Sequence, residues 1–254
     1  MNRNRVVNRW VAIGVFVVAI LAYLRTIAPD VSFWDCGEFI AASFTMGIMH
    51  PPGAPLFTII GRLFTFFPIH NVAWRVNVIS VISSALTITL LYLIIVRLTN
   101  IWRGQPKNAM DRWIVYGGAV IGALAFAFSD SFWFNAVEAE VYAMSMLFTA
   151  LAVWIVLYWK DNPVRPGNER WLILIVYLLW LSTGVHLLNL LVFPFIFIVI
   201  VFENNLSMKR LVWVVLLQAG IPLTLYILFF HYNPSTMSYQ QFIAHQNTAW
   251  KFFE

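Results

Sequence analysis

Residues 72–98 read VAWRVNVISVISSALTITLLYLIIVRL, a run with no proline, no glycine and no acidic residue. A helix needs about 20 consecutive apolar residues to cross a hydrocarbon core of about 30 Å. This run is longer than that, so it predicts a transmembrane helix. Its two arginines, Arg75 and Arg97, sit near its ends, where long cationic side chains can reach water. The remainder of the chain has the same character. Of 254 residues, 61% are hydrophobic and 11% charged, against about 25% charged in soluble domains, and the mean hydropathy is +0.78. That balance excludes a soluble globular enzyme, because too little polar surface is available to cover one.

Outward from 72–98, the same criterion places six further spans. They run from Trp10 to Ile27, from Trp113 to Phe128, from Val141 to Trp159, and from Leu211 to about Phe230. The stretch 171–202 is too long for one helix, and it divides near Gly184–Asn189 into a fifth and a sixth span. The expected fold is all-α, a seven-helix transmembrane bundle over residues 1–232, with an outer loop at 28–71. Residues 233–254 form an outer-side segment, expected to open a continuation in a longer chain. A basic start and a long apolar run without a small-x-small cleavage site predict a retained signal-anchor helix at the N-terminus.

The basic residues set the orientation. Arg3, Arg5, Arg9, Arg97, Arg103, Lys107, Arg112, Lys160, Arg165, Arg170, Lys209 and Arg210 all fall on one side. The positive-inside rule makes that side cytoplasmic. The net charge of +5 therefore reads as membrane topology, because the basic residues form short clusters between apolar runs and make no nucleic-acid-binding stripe. The opposite side carries Asp30, Asp35, Glu38, Asp130, Glu138, Glu140 and Glu254, with only Arg25, Arg62, Arg75 and Lys251 among the basic residues. A bacterial inner membrane with a periplasmic outer face is the expected setting. The lone cysteine, Cys36, excludes an intrachain disulfide.

The outer loop holds the candidate chemistry, in FWDCGEFIAASFTMGIMHPPGAP at residues 33–55. Asp35 and Glu38 are one helical turn apart, so a short helix ending near Gly47 puts both carboxylates on one face, about 5–6 Å apart. His50-Pro51-Pro52-Gly53 then imposes an extended turn. A second amphipathic helix from Ala54 to Phe67, with Arg62 on its polar side, fits the membrane interface. Helix capping and surface solvation are the ordinary roles of such carboxylates, but aromatic residues surround these, and acids held there are costly unless used. Glu138 and Glu140 open the fourth span. They are candidate ligands for an acceptor or a divalent ion, although helix-start capping is the commoner role. His186 and Asn189 lie at the fifth-to-sixth turn, where they face the site or satisfy backbone groups. No ligand spacing compels a metal site from Asp35, Glu38 and His50, so no metal or other cofactor is assigned.

WDCGEF, the spaced HPPGAPL, and AWRVNVIS at the start of the second span together resemble the GT-C superfamily of polyprenyl-phosphate-sugar-dependent glycosyltransferases. The resemblance, over residues of about 10 to 232, is to the bacterial protein O-mannosyltransferase-like members. It implies a seven-helix module and inverting transfer of a hexose, mannose by resemblance, from a lipid-linked donor to a hydroxyl on a protein or glycan at the outer face. By the same resemblance Asp35 stands at the catalytic carboxylate. The family's second acid usually follows at once, whereas Cys36-Gly37 intervene here before Glu38, so which of the two is the base stays open. His50 shares the family's His-Pro-Pro turn, and Arg75 matches an arginine near the lipid phosphate, with Arg62 as a second cation. His186 replaces the lysine of a Gly-x-Lys. Two readings from other classes remain: a membrane protein that binds or translocates polyprenyl lipid without chemistry, and a scaffold subunit of an envelope complex.

Overall fold

A computed structural model describes residues 3–161 and 167–203. The expected seventh span at 211–230, the cluster Lys209–Arg210, Arg165 and the segment 233–254 lie outside the described residues. Among those described, the structure is all-helical. Helix α1 spans Arg3–Thr26, α2 Cys36–Thr45, α3 Pro55–Thr65 and α4 Val72–Arg103. Helix α5, Ala109–Arg112, continues through a π-helical turn at Trp113–Gly117 into α6, Gly118–Ala127. Then follow α7, Asp130–Ala136; α8, Val141–Lys160; α9, Glu169–Thr183; a 3-10 stretch, Leu187–Val192; and α10, Phe193–Glu203.

Four of these are long and apolar enough to cross a membrane: α1, α4, Ala109–Ala127 and α8. They coincide with the first four expected spans. Helix α1 begins a full two turns earlier than its apolar run, because Asn4 ties its polar start to the α5 region. The Asn4 amide donates to the Pro106 carbonyl at 2.8 Å, and the Tyr116 hydroxyl donates to the Asn4 carbonyl at 3.2 Å. The expected break near Gly184–Asn189 is present, and it leaves two shorter apolar pieces, α9 with 15 residues and Leu187–Glu203.

Small residues let α1, α4 and α6 approach closely, with Ala19, Ala85, Ala119, Ala123 and Ala127 in one core. Tyr23 fills the space they leave and donates its hydroxyl to the Ala127 carbonyl at 2.9 Å. Helix α4 has 32 residues, about 48 Å at 1.5 Å per residue. It is longer than the hydrocarbon core is thick, and its first turns meet α2 and α3.

Candidate functional site

Two asparagines fasten the segment between α1 and α2 onto α4. The Asn71 side chain caps α4 by accepting from the Trp74 N–H at 2.8 Å, and its amide donates to the Pro29 carbonyl at 3.0 Å. Asn77, fully buried, donates to the Ala28 carbonyl at 2.8 Å. The Ala28 N–H in turn donates to the Val137 carbonyl at 2.9 Å. Residues 28–30 are thereby pinned between α4 and the α7–α8 connection, and the start of α2 arrives beside Glu138 and Glu140. Trp34, at φ 60°, adopts a left-handed backbone that turns the chain into α2 immediately before Asp35.

Helix α2 packs on α3 through Phe39 and Phe57, whose ring centroids lie 5.6 Å apart. The expected helix bounds hold to within two residues. At the C-terminus of α2, however, Met46 rather than Gly47 takes the left-handed conformation, at φ 57°, while the N–H of each donates to the Ala42 carbonyl. The α3 N-terminus is held by the Leu56 N–H, which donates to the Gly184 carbonyl at 2.8 Å.

The structure brings Asp35, Glu38 and His50 together, with ligand-type atoms within 4.8 Å of one another. Glu38 grips the His-Pro-Pro turn with both oxygens. Its Oε1 accepts from the His50 N–H and its Oε2 pairs with the His50 Nδ1, each at 2.6 Å. These contacts hold the Glu38 carboxyl below the usual range and raise His50 above its ordinary value. Asp35 is exposed, makes no side-chain cap to α2, and has no hydrogen bond to its carboxylate among the described residues. Raised His50 supplies stability that is full below its ordinary value near 6.5 and lost as pH rises through the higher folded value. Lowered Glu38 supplies stability present above about 4.5 and lost as pH falls. The melting-temperature gap between the protein and His50→Gln is therefore expected to be widest at about pH 4.5–6.5 and to narrow as pH rises above that window. A gap independent of pH would show that the pair carries no charge.

Glu138 and Glu140 differ from the commoner helix-start role. They are 2% and 7% exposed, so neither is solvated, and the Glu140 side chain makes no cap bond to α8. A tight turn joins them, the Glu140 N–H donating to the Glu138 carbonyl at 2.9 Å, and it brings their carboxylates to one face. That face turns inward onto Cys36. The Cys36 Sγ donates to Glu140 Oε1 at 3.6 Å, and the Ser32 hydroxyl donates to Glu138 Oε2 at 2.5 Å. Burial pushes Glu140 up to about 7, with the neighbouring Glu138 and Asp35 charges adding to it. Burial likewise raises Glu138, and it raises the Cys36 thiol, which the two glutamates then lift further. The Glu-x-Glu spacing was visible in the sequence as a candidate, whereas the Cys36 and Ser32 contacts with it were not.

The arginines are placed elsewhere. Arg62 donates to the Phe44 carbonyl, with its guanidinium 4.7 Å from the Phe66 ring centroid and 5.7 Å from that of Phe44. Arg75 donates to the carbonyls of Ile69, Thr65 and His70, which ties the end of α3 to the start of α4. Neither pairs with a carboxylate among the described residues, and the cation beside the acidic pair is His50. Because Arg75 serves three carbonyls through a planar fork, Arg75→Lys is expected to cost about 1–3 kcal/mol of stability, read as a lower melting temperature in detergent. Equal melting temperatures would remove this corner role. His186 stays in its own turn, with Nδ1 accepting from the Leu188 N–H at 3.1 Å and its ring 5.3 Å from Tyr142. Asn189, 1% exposed, accepts from the Ser145 and Thr149 hydroxyls at 2.6 and 3.2 Å. Next to it lies an apolar pocket of about 790 Å³ that includes Tyr142, Met146, Leu191 and Phe195.

The N-terminal domain of protein O-mannosyl-transferase TMEM260 is a family whose model matches residues 35–209, a range that contains every carboxylate of this site. The chain belongs to that family. Two similar relatives are both named protein O-mannosyl-transferase TMEM260. The one from Mus musculus is 27% identical over 160 residues, covering 63% of this chain and 21% of the relative. The one from Dictyostelium discoideum is 28% identical over 200 residues, covering 72% of this chain and 22% of the relative. The chain thus spans about a fifth of the length of the curated relatives it matches. No solved structure matches it.

Proposed function

We propose that this chain carries the catalytic carboxylate, acting as general base, of a membrane glycosyltransferase that moves mannose from a polyprenyl-phosphate donor to a Ser or Thr hydroxyl of a protein at the outer, periplasmic face. The observation that carries this reading is the division of labour among the carboxylates. Glu38 is occupied by the His50 turn, Glu138 and Glu140 are buried, and Asp35 remains exposed at the opening of α2. Membership of a family named for protein O-mannosyl transfer supplies the reaction class.

In the proposed step the acceptor oxygen attacks the anomeric carbon while its proton passes to the Asp35 carboxylate. The bond from that carbon to the phosphate oxygen breaks, and polyprenyl phosphate leaves with its electron pair. Transfer in one displacement inverts the anomeric configuration. The departing phosphate needs fixed positive charge. Arg62 and Arg75 are the candidates, each with guanidinium N–H groups beyond those bonded to carbonyls. Arg75 edges a small apolar pocket of about 210 Å³ with Phe64, Phe67 and Trp74, a setting that suits the first isoprene units of a lipid phosphate. Exposed Phe33, Trp34, Ile48, Leu63 and Phe66 form an apolar rim that supports an interfacial position for α2 and α3. His186, Glu138 and Glu140 complete the proposed donor and acceptor surroundings, and the seven-helix module is the proposed frame.

The test is transfer of labelled mannose from a polyprenyl-phosphate donor by the full protein in proteoliposomes, compared with Asp35→Asn and Glu38→Gln. Transfer undiminished in both variants would remove the enzymatic reading and leave lipid binding without chemistry, or a scaffold role, as the function.

A further inference from the structure

We propose that Cys36, Glu138 and Glu140 form a binding site for a single thiophilic divalent cation of the zinc class. The three residues come from two chain segments about a hundred residues apart. All three are buried, and their ligand-type atoms lie within 4.8 Å of one another. Tetrahedral zinc with bonds of about 2.0–2.3 Å sets its ligands about 3.3–3.8 Å apart. The Cys36 Sγ to Glu140 Oε1 separation of 3.6 Å is already in that range.

The observation that distinguishes this cluster from a proton-sharing acid pair is Glu138 Oε1. Glu138 is 2% exposed, its Oε2 is taken by the Ser32 hydroxyl, and its Oε1 has no hydrogen-bond partner. A cluster held together by protons alone would be expected to direct one of them at this oxygen, since a buried carboxylate oxygen left unpaired is costly. No ion pair among the described residues reaches the cluster either, because those present involve His50 with Glu38, Arg97 with Asp161, and Lys160 with Glu203. Two buried carboxylates without a lysine or arginine are neutralised by protons or by a cation, and the unpaired Glu138 Oε1 favours the cation.

The donor set selects the cation. Magnesium and calcium favour oxygen ligands only, whereas a thiolate with two carboxylates suits zinc or cobalt. Binding forms one bond to sulfur and one to an oxygen of each glutamate, and it displaces the thiol proton, together with any proton on Glu140, to solvent. Three protein ligands leave a fourth position open, the pattern of zinc sites that bind water or substrate. The neighbouring group of Asp35, Glu38 and His50 also has metal-type atoms within 4.8 Å, but it is largely exposed and Glu38 and His50 already satisfy each other. The buried group is therefore the one with unmet demand. This inference stands on geometry and does not depend on the donor or acceptor proposed above.

The full protein, purified in detergent and stripped with chelator, is titrated with Co²⁺. The expected result is a near-ultraviolet thiolate-to-cobalt charge-transfer band that saturates at one equivalent and is abolished by Zn²⁺. Cys36 is the sole cysteine of the sequence, so in this chain the band reports that residue without any variant. Glu138→Gln is expected to weaken cobalt binding roughly tenfold or more. Cobalt binding without a sulfur band would move the cation to the exposed group and overturn the proposal, as would no binding at all. The wild-type readout decides the matter even if Glu138→Gln fails to fold.

Discussion

Replacing Asp35 by asparagine is expected to lower mannosyl transfer by about 10²–10⁴-fold, the range seen when a general base is removed. The substitution keeps size and polarity and removes only the capacity to take a proton. Asp35 makes no side-chain cap to α2, so the helix has little to lose structurally. The loss should therefore appear in kcat, with the apparent affinity for the lipid-linked donor nearly unchanged. Glu38→Gln is expected to have a smaller effect, because that side chain holds the His50 turn and glutamine can still bond to the His50 N–H. Measuring both variants in proteoliposomes decides which carboxylate is the base. A larger kcat loss in Glu38→Gln than in Asp35→Asn would exchange their roles, and full activity in Asp35→Asn would exclude Asp35 as the base.

Gly61→Ala is expected to lower stability by about 1–3 kcal/mol, through overpacking between α2 and α3. A Cβ at Gly61 would lie 2.1 Å from the Ser43 Oγ and 2.6 Å from the Ser43 Cβ. The hydroxyl can rotate away, but the Cβ cannot, so α2 must move off α3. That motion displaces Asp35 and Glu38, and transfer should fall along with the melting temperature. The double variant Gly61→Ala with Ser43→Gly removes both clashing atoms, and it is expected to recover most of the stability apart from about 0.5–1 kcal/mol for glycine within a helix. Thermal unfolding in detergent, read as a double-mutant cycle, isolates the coupling. A Gly61→Ala protein that melts with the wild type would show that the two helices do not pack as closely as described.

Much of the fold was legible because crossing a membrane is a local requirement. The run 72–98 has to be a helix whatever surrounds it, since lipid offers its backbone no other partner. The break at Gly184–Asn189 was readable for a related reason, because the long stretch 171–202 gathers its polar residues, Ser182, Thr183, His186 and Asn189, around Gly184 at its middle. The acidic candidates were legible as residue types, whereas the grip of Glu38 on the His50 turn came only with the tertiary structure. The arginine roles were less legible. A guanidinium at the end of a span serves a lipid phosphate or a nearby carbonyl equally well, and only the position of the α3–α4 corner shows Arg75 meeting three carbonyls.

The sequence by itself determined where the chain becomes apolar enough to span a membrane, because hydropathy is a sum over neighbouring residues. Only the tertiary structure decided which acids are buried. Asp35 and Glu138 belong to equally polar stretches, yet one is exposed and the other is 2% exposed. The difference arises because Asn77 and Ala28 fasten the segment between α1 and α2 against the α7–α8 connection and seat Cys36 against Glu140. Contacts across about a hundred residues depend on how packed helices meet, and no local pattern encodes that meeting.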